Sequence, residues 1–410
     1  PIEKISSNRQ KNHLAWTIAL LLAAPVATAA DVNFSGFLSV GGGMVDDENA
    51  IDYGGYNEED LTFDRNLLGL QVTGQVNEKV TATAQLIARS NNDYQVDAEW
   101  AYLSWQANDS VKVRAGRLRT PFYMYSDFLD VGYSYTWITP PQEVYYLPFN
   151  NVDGVDVYLT GTLGIFDNSL NAYFGSFTDE LTFSGDIANA ETRNQMGLSG
   201  TIGKDWWTLR AAYHQADLTV DVSKSLLDET TGTTIGSFAN TLRAFGFGSN
   251  ADRLLVEDDD VTFTEIGLNI DTGRFVAAAE HVEFDPGDAL LSKNIREYVM
   301  AGVRAGDWLF HLTASKAKDE VSHPEAGIPA GQALPVVGST DVLIRTLKAI
   351  AQSQVVERDV LTFGVRWDVT AGTALKFQFD DVDSPDVTLP DASVVSGQQK
   401  VFSVAVQTVF

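Results

Sequence analysis

Short and long connections alternate without a break along this 410-residue chain, and no other feature narrows the choice of fold as far. Runs with a two-residue hydrophobic period predict strands near residues 32–42, 67–76, 79–89, 96–106, 111–118, 151–163, 169–177 and 193–203. Further runs lie near 206–217, 262–271, 274–284, 295–305, 308–318, 358–370, 373–382 and 401–410, sixteen in all. Leu68, Leu70 and Val72 oppose Gly69, Gln71 and Thr73; Leu375, Phe377 and Phe379 oppose Lys376, Gln378 and Asp380. Turn-forming pairs join alternate runs: Asn77-Glu78, Asn108-Asp109, Asp167-Asn168, Lys204-Asp205, Thr272-Gly273, Gly306-Asp307 and Ala371-Gly372. The longer stretches are 43–66, 90–95, 117–150, 178–192, 218–261, 285–294, 319–357 and 383–400. A soluble sandwich has no reason to sort its loops by side, whereas a membrane barrel carries short turns at one rim and long loops at the other. The prediction is an all-β, antiparallel, closed barrel of sixteen strands.

Both ends of the chain support a membrane location. Phe402, Val404, Val406, Thr408 and Phe410 share one face of the last strand, and Val401, Ser403, Ala405, Gln407 and Val409 the other. About ten residues suffice for a strand to cross a bilayer at a tilt. A closing strand finishing in Phe fits an outer-membrane barrel. At the other end Lys4, Arg9 and Lys11 precede the apolar run Leu14 to Ala24, then Pro25 and the small residues Ala27-Thr28-Ala29. That order is a secretory signal peptide, with cleavage expected after Ala29 or Ala30. Residues 1–29 are then the leader and 30–410 the barrel. Beyond the leader no apolar run reaches the roughly 20 residues that a spanning helix needs. The balance of 28 basic against 55 acidic residues, formally −27, repels nucleic acid, and no such partner is expected. With no cysteine, an exported chain must do without disulfides.

Aromatic residues cluster beside the short turns. Trp206 and Trp207 follow one, Trp308 another, and Phe410 ends the chain, which suits a girdle at headgroup level. Two long stretches carry helical spacing: Ile235, Phe238, Leu242 and Phe245, then Val342, Ile344, Leu347, Ile350 and Ala351 within 341–354. Short amphipathic helices over the barrel mouth are expected there. An extra hairpin from one of these stretches would instead raise the count to eighteen strands.

The stretch 117–150 is the candidate functional segment. Ten of its residues between 121 and 149 are aromatic, and it is poor in the Gly, Ser and Asn of a mobile outer loop. A loop so apolar must pack on something, either the inside of the barrel or a neighbouring protomer. With its signal peptide, sixteen alternating strands, terminal Phe410 and long third loop, the chain resembles the Gram-negative porins over essentially its whole mature length. The resemblance implies a homotrimer of water-filled barrels, each with the third loop folded inward as a constriction whose carboxylates face basic residues on the wall. Carried onto this sequence, the loop acids are Asp127, Asp130 and Glu143. The basic candidates are Arg89, Lys112 and Arg114 on polar strand faces, with Arg65, Arg117 and Arg119 at strand ends. The short Pro-Glu-Phe-Gly-Gly element of enteric porin loops is missing, so this loop is expected to take another path.

Opposed charged rows in a narrow passage order water and polar solutes, and rings of like charge choose the sign of permeant ions. Tyr123, Tyr125, Tyr133, Tyr135 and Trp137 either pack the loop to the wall or offer faces to sugars or aromatic acids. Acidic clusters at 46–48, 58–60 and 257–260 suit hard divalent cations, which would bridge the barrel to lipopolysaccharide. Solvated loop charge is the plainer account. After the leader, His214, His281, His311 and His323 show no metal-ligand spacing, and no nucleotide fingerprint is present. No cofactor, resident metal or enzymatic activity is expected. The sequence thus predicts an outer-membrane porin for passive diffusion of small hydrophilic solutes and ions, cation-leaning from its acid excess. A substrate-preferring channel for sugars or aromatic acids, and a non-conducting structural barrel, are the alternatives.

Overall fold

A computed structural model describes residues 31–410 except 51–52, 57–58, 64, 149, 184–185, 229–230 and 389–393; the leader and its cleavage site lie outside the described residues. Sixteen strands pair in chain order and close on themselves. The first eight are β1 (Val32–Val45), β2 (Leu67–Asn77), β3 (Val80–Arg89), β4 (Val96–Asn108), β5 (Val111–Arg119), β6 (Asn151–Leu163), β7 (Phe166–Phe183) and β8 (Asp186–Lys204). The other eight are β9 (Trp207–Val220), β10 (Val256–Asp271), β11 (Phe275–Asp285), β12 (Lys293–Ala305), β13 (Trp308–Glu320), β14 (Glu357–Thr370), β15 (Thr373–Asp383) and β16 (Gln398–Val409). Closure runs through β16 and β1, with Val401 opposite Val45 and Val409 opposite Phe37. The Phe410 amide donates to the Gly36 carbonyl at 2.9 Å, and the Gly36 amide donates back at 2.7 Å.

Alternation decides what each strand shows to lipid and to lumen. Along β13 every second residue is buried: Leu309, His311, Thr313, Ser315, Ala317 and Asp319 face inward, while Trp308, Phe310 and Leu312 are exposed. Inside, β14 presents Gly364 opposite His311, and a Cβ there would lie 1.9 Å from the imidazole, so only glycine leaves room for the ring. At the short-turn rim Trp308 stacks on Trp367 with centroids 5.1 Å apart, and Trp206 is exposed nearby in sequence to Trp207, which packs on Phe166. Among the described residues no helix is long and apolar enough to cross a membrane.

Several boundaries differ from the sequence expectation. The third short turn falls at 164–165 rather than Asp167-Asn168, because Gly164 takes a positive φ of 66° at no steric cost while Asp167 and Asn168 pair with Thr162 and Gly161. The stretch 178–192 is no loop: β7 and β8 continue their ladder past a bulge to Phe183 opposite Asp186. Its polar residues mask the strand, since above the membrane neither face needs to be apolar. β5 runs on to Arg119, opposite Asn151, so the third loop is 120–150 and Arg117 and Arg119 are ladder residues. The acidic run Glu257–Asp260 likewise lies in β10, not in a loop.

The long loops fold back over the mouth. Helix α1 (Ile235–Ala244) starts on a capping box between Thr234 and Ser237 and buries Ile235, Phe238 and Leu242. A second helix, α2 (Gly248–Leu254), was hidden in the sequence by its glycine and polar start. In α3 (Thr340–Gln352) the buried face centres on Leu343, with Leu347, Ile350 and Ala351, while Val342 and Ile344 flank it. These helices pack on inward residues of β8, β9 and β10, including Ala190, Leu218 and Val261. Three two-stranded ribbons, at Leu226–Asp228 with Thr233–Thr234, Ala333–Leu334 with Gly338–Ser339, and Val387–Thr388 with Val394–Val395, stay out of the barrel ladder, which keeps the count at sixteen.

Leu312 is half exposed on the outer face between the Trp308 row and the charged rim. Leu312→Arg is expected to destabilise the barrel by about 2–4 kcal/mol, as arginine does near the bilayer midplane. Denaturant unfolding of the variant refolded in lipid vesicles measures it; a change under about 0.5 kcal/mol would place this face away from lipid.

Candidate functional site

A loop held inside a barrel has no sheet partner for its backbone, so the wall must supply one. Residues 120–150 obtain it around most of the lumen. From β15, the Lys376 ammonium donates to the carbonyls of Gly132 (2.7 Å), Tyr135 (2.6 Å) and Trp137 (2.5 Å), using its three protons on three oxygens. From β14, Arg366 donates to the carbonyls of Tyr133 (2.7 Å) and Tyr135 (2.9 Å). Gln378 accepts from the Ile138 amide at 3.1 Å, and Gln407 donates to the Ile138 carbonyl at 2.8 Å. Across the lumen, Glu280 of β11 accepts from the Met124 amide (2.9 Å) and the Tyr145 hydroxyl (2.5 Å), while Arg210 of β9 donates to the carbonyls of Pro121 and Phe122.

The loop's aromatic residues complete the attachment. Tyr123, Tyr125, Tyr135 and Trp137 are buried in one cluster with Phe122, Val144, Phe263 and Tyr298. The Trp137 indole donates to Thr313 at 2.8 Å. Tyr133 is half-buried beneath the Arg366 guanidinium, 4.7 Å from its ring centroid. These five side chains spend their faces on packing and offer little to a passing sugar.

The candidate charged residues separate into distinct settings. Asp130 meets Arg89 at 2.8 Å and also pairs with Arg119; Glu99 lies 2.6 Å from Arg89 and 3.7 Å from Arg119. Burial alone would push the Asp130 carboxyl up, but Arg119 and Arg89 hold it below the usual carboxylate range. Glu143 is buried and accepts from Ser315 (2.9 Å) and Tyr53 (3.2 Å), so it anchors the loop rather than facing water. Arg114 is tied to Asp156 on β6 at 2.5 Å, and Arg117 to Asp153 at 2.8 Å. Lys112 is exposed two residues before Arg114 on the same face. Arg65 lies over the Tyr56 ring at 5.7 Å. Of the outer acids, Asp46 is matched by Lys400 at 3.7 Å and Asp258 pairs with Arg193, which reduces their call for a bridging cation.

Two polar cavities flank the loop, and the segment Tyr125–Asp130 divides them. On the long-loop side, about 440 Å³ is lined by Arg65, Arg89, Asp130, Gln142, Asp380 and Gln407, among others. On the other side, about 210 Å³ is lined by Arg114, Asp127, Tyr158, Asn171, Arg210 and Asn269. This second cavity shares Tyr158, Ser169, Thr201 and Thr208 with a vestibule at the short-turn rim. Asp127 is exposed in it, facing the field of Arg114. Arg114 is matched by Asp156, and Arg210 by Glu265 with both side chains buried, so among the charged residues that line this cavity Asp127 is the one without an ion pair, while Lys112 stands exposed just beyond them.

The sequence pointed to Arg89, Arg114, Asp127 and Asp130 but not to the partners Glu99 and Asp156, the Arg210–Glu265 pair or the role of Lys376. Strand alternation put Lys376 on the polar face; nothing local showed that loop carbonyls would meet it.

A closed sixteen-strand barrel with a long loop docked inside and polar cavities on both sides defines an outer-membrane channel. The chain belongs to the Gram-negative porin family, whose model matches residues 15–407, and it resides in the bacterial outer membrane. No curated protein sequence matches it. Among solved structures it resembles the trimer form of OmpT from Vibrio cholerae (TM-score 0.53, 13% identity, 93% of this chain and 100% of that one). It also resembles OmpF of Salmonella typhi in complex with daunomycin (0.54, 11%, 93% and 98%) and the anion-selective porin of Comamonas acidovorans (0.53, 13%, 93% and 100%). At such identities the likeness speaks for the fold.

Because the Asp130 carboxyl is depressed in the folded protein, its docking energy is fully present above the ordinary Asp value near 3.9 and is lost only as pH falls through the lower folded value. The share of the loop's protection from protease that Asp130 supplies, read as the ratio of cleavage rates in Asp130→Asn and the native protein, is therefore expected to be the same at pH 7 and pH 5 and to fall only below about pH 4. Asp130→Asn, which strips the charge from a buried pair, is expected to speed cleavage at pH 7; an unchanged rate would show that the loop is held without this pair.

Proposed function

We propose that this porin is a passive, cation-leaning pore for small hydrophilic solutes and ions, narrowed by residues 120–150. The observation that carries the reading is Asp127, the carboxylate left over in a passage whose two arginines are each paired with another acid. A charge fully balanced by a neighbour selects weakly; an exposed surplus charge attracts its counter-ion. The acid excess of the chain, −27 with the leader counted, adds cations at both mouths without deciding what passes the narrow segment. The barrel encloses its solutes and needs no energy source, so no catalytic step enters this reading. A homotrimer and a leader removed near residue 29 belong to it too; the trimeric OmpT of Vibrio cholerae supports the first. Outer-membrane lipid surrounds the wall, and the matched Asp46 and Asp258 favour solvated charge over cation-bridged lipopolysaccharide at those two sites.

The substrate-preferring alternative finds less support, since Tyr123, Tyr125, Tyr135 and Trp137 are buried in loop packing. Anion selectivity, as in the Comamonas acidovorans neighbour, would require Arg114 or Arg210 to act unpaired or the exposed Lys112 to outweigh Asp127.

Reversal potential in a planar bilayer under a KCl gradient tests the proposal. A unit charge at about 4 Å in water is worth about 1 kcal/mol, so Asp127→Asn should lower the cation-to-anion permeability ratio up to about fivefold. Arg114→Gln, which frees Asp156, should raise it. Anion preference in the native protein, or indifference to both changes, would remove Asp127 from the filter; absence of current would favour a non-conducting barrel.

A further inference from the structure

The lumen beneath the helical roof is unlike the rest of the interior. Here Phe122, Leu147, Leu218, Val261, Phe263 and Phe284 surround a cavity of about 290 Å³ that lies between the start and end of the third loop and the walls of β7 to β13. Water gains little from such walls, and a cavity of this size suits a molecule of one or two rings. Its polar groups are few. Arg296, which is 4% exposed, places one nitrogen 2.8 Å from Asp319 and stacks its guanidinium over Tyr146 at 4.8 Å. Its remaining two nitrogens, Nε and Nη1, have no acceptor, and the Ser292 hydroxyl, 3% exposed, has no partner either. Asp319 Oδ2 accepts from the Val356 amide at 2.8 Å while its Oδ1 lies beside Arg296 without a hydrogen bond, and Tyr146 donates to Asn294 at 2.9 Å.

Three unmet donors, Arg296 Nε and Nη1 and the Ser292 hydroxyl, outnumber the one unmet acceptor, Asp319 Oδ1, so the site is short of acceptors. A buried guanidinium with unpaired N–H groups calls for oxygen acceptors, most strongly for an anionic one, because charge-assisted bonds are the strong ones. The surrounding rings call for an apolar, flat body. We infer that the cavity is a binding site for a small aromatic carboxylate, one oxygen on an unpaired N–H of Arg296 and the other on the Ser292 hydroxyl, its ring among Phe122, Phe263 and Leu218. Tyr173, His214 and Gln195 also line the cavity. This site stands apart from the Arg114–Asp127 passage, with which it shares no lining residue, and gives the channel a place to retain a solute class distinct from the ions it passes.

The test is isothermal titration calorimetry of the purified full-length barrel in detergent with benzoate, and with benzamide as its neutral isostere. Saturable binding of one benzoate per protomer, tighter than benzamide, is expected. Arg296→Gln should weaken it about tenfold or more. Ala216→Leu, which fills the cavity from β9 while leaving Arg296 in place, should do the same and covers the case in which the arginine variant does not fold. Circular dichroism confirms the barrel in each. Absence of saturable heat, benzamide binding as tightly as benzoate, or affinity unchanged in both variants would overturn the inference. None of these outcomes touches conduction, which is read separately from bilayer current.

Discussion

In hydrocarbon a backbone amide or carbonyl has no water to turn to, and every other feature of this protein follows from that constraint. The sixteen strands satisfy it by closure, with β16 paired to β1 and the terminal Phe410 bonded to Gly36. Once closed, the barrel faces the same question inside, because residues 120–150 enter the lumen without a strand to pair with. The wall answers with side chains. Lys376 and Arg366 take five loop carbonyl contacts between them, Gln407 takes another, and Gln378 and Glu280 accept from loop amides. These residues have the look of lumen charges, yet their work is to replace missing backbone partners.

That division changes how charge relates to transport. Most ionised groups near the loop are consumed in pairs: Asp130 with Arg89 and Arg119, Arg114 with Asp156, Arg210 with Glu265. A pair inside a narrow, partly dry space stabilises the loop and leaves little net field. Selectivity then rests on whichever group is left unmatched, and the abundance of acidic residues in the chain says little about which group that is. The same reasoning separates the polar passage at Asp127 from the apolar cavity at Arg296, where the unmet demand is for an acceptor.

Much of the fold was legible because a two-residue period leaves its mark whenever one face meets lipid. Leu361 against Thr362, or Phe377 against Gln378, could hardly be read otherwise. Where neither face meets lipid the mark fades, and the upper part of the β7–β8 hairpin and the start of β10 were read as loop. Turn chemistry misled at Asp167-Asn168, where composition pointed to a turn and the positive φ of Gly164 set it three residues earlier. In α3 the periodicity marks Leu347, Ile350 and Ala351 correctly, but the buried Leu343 lies between the Val342 and Ile344 that the spacing favoured. The roles of Glu143 and Arg117 were hidden for another reason. Their partners Ser315, Tyr53 and Asp153 lie 172, 90 and 36 residues away, beyond any local pattern.

The sequence by itself determined the membrane barrel, its strand number, its short-turn and long-loop rims and the aromatic, inward-seeking third loop, since each of these is a local pattern imposed by lipid on one face and water on the other. The tertiary structure alone decided which charges cancel, that Lys376 serves the loop backbone, that Asp127 is left exposed and that Arg296 is buried with N–H groups to spare. Those outcomes depend on distances of about 3 Å between residues brought together by barrel closure, and Coulombic and hydrogen-bond energies fall off too steeply for sequence spacing to stand in for them.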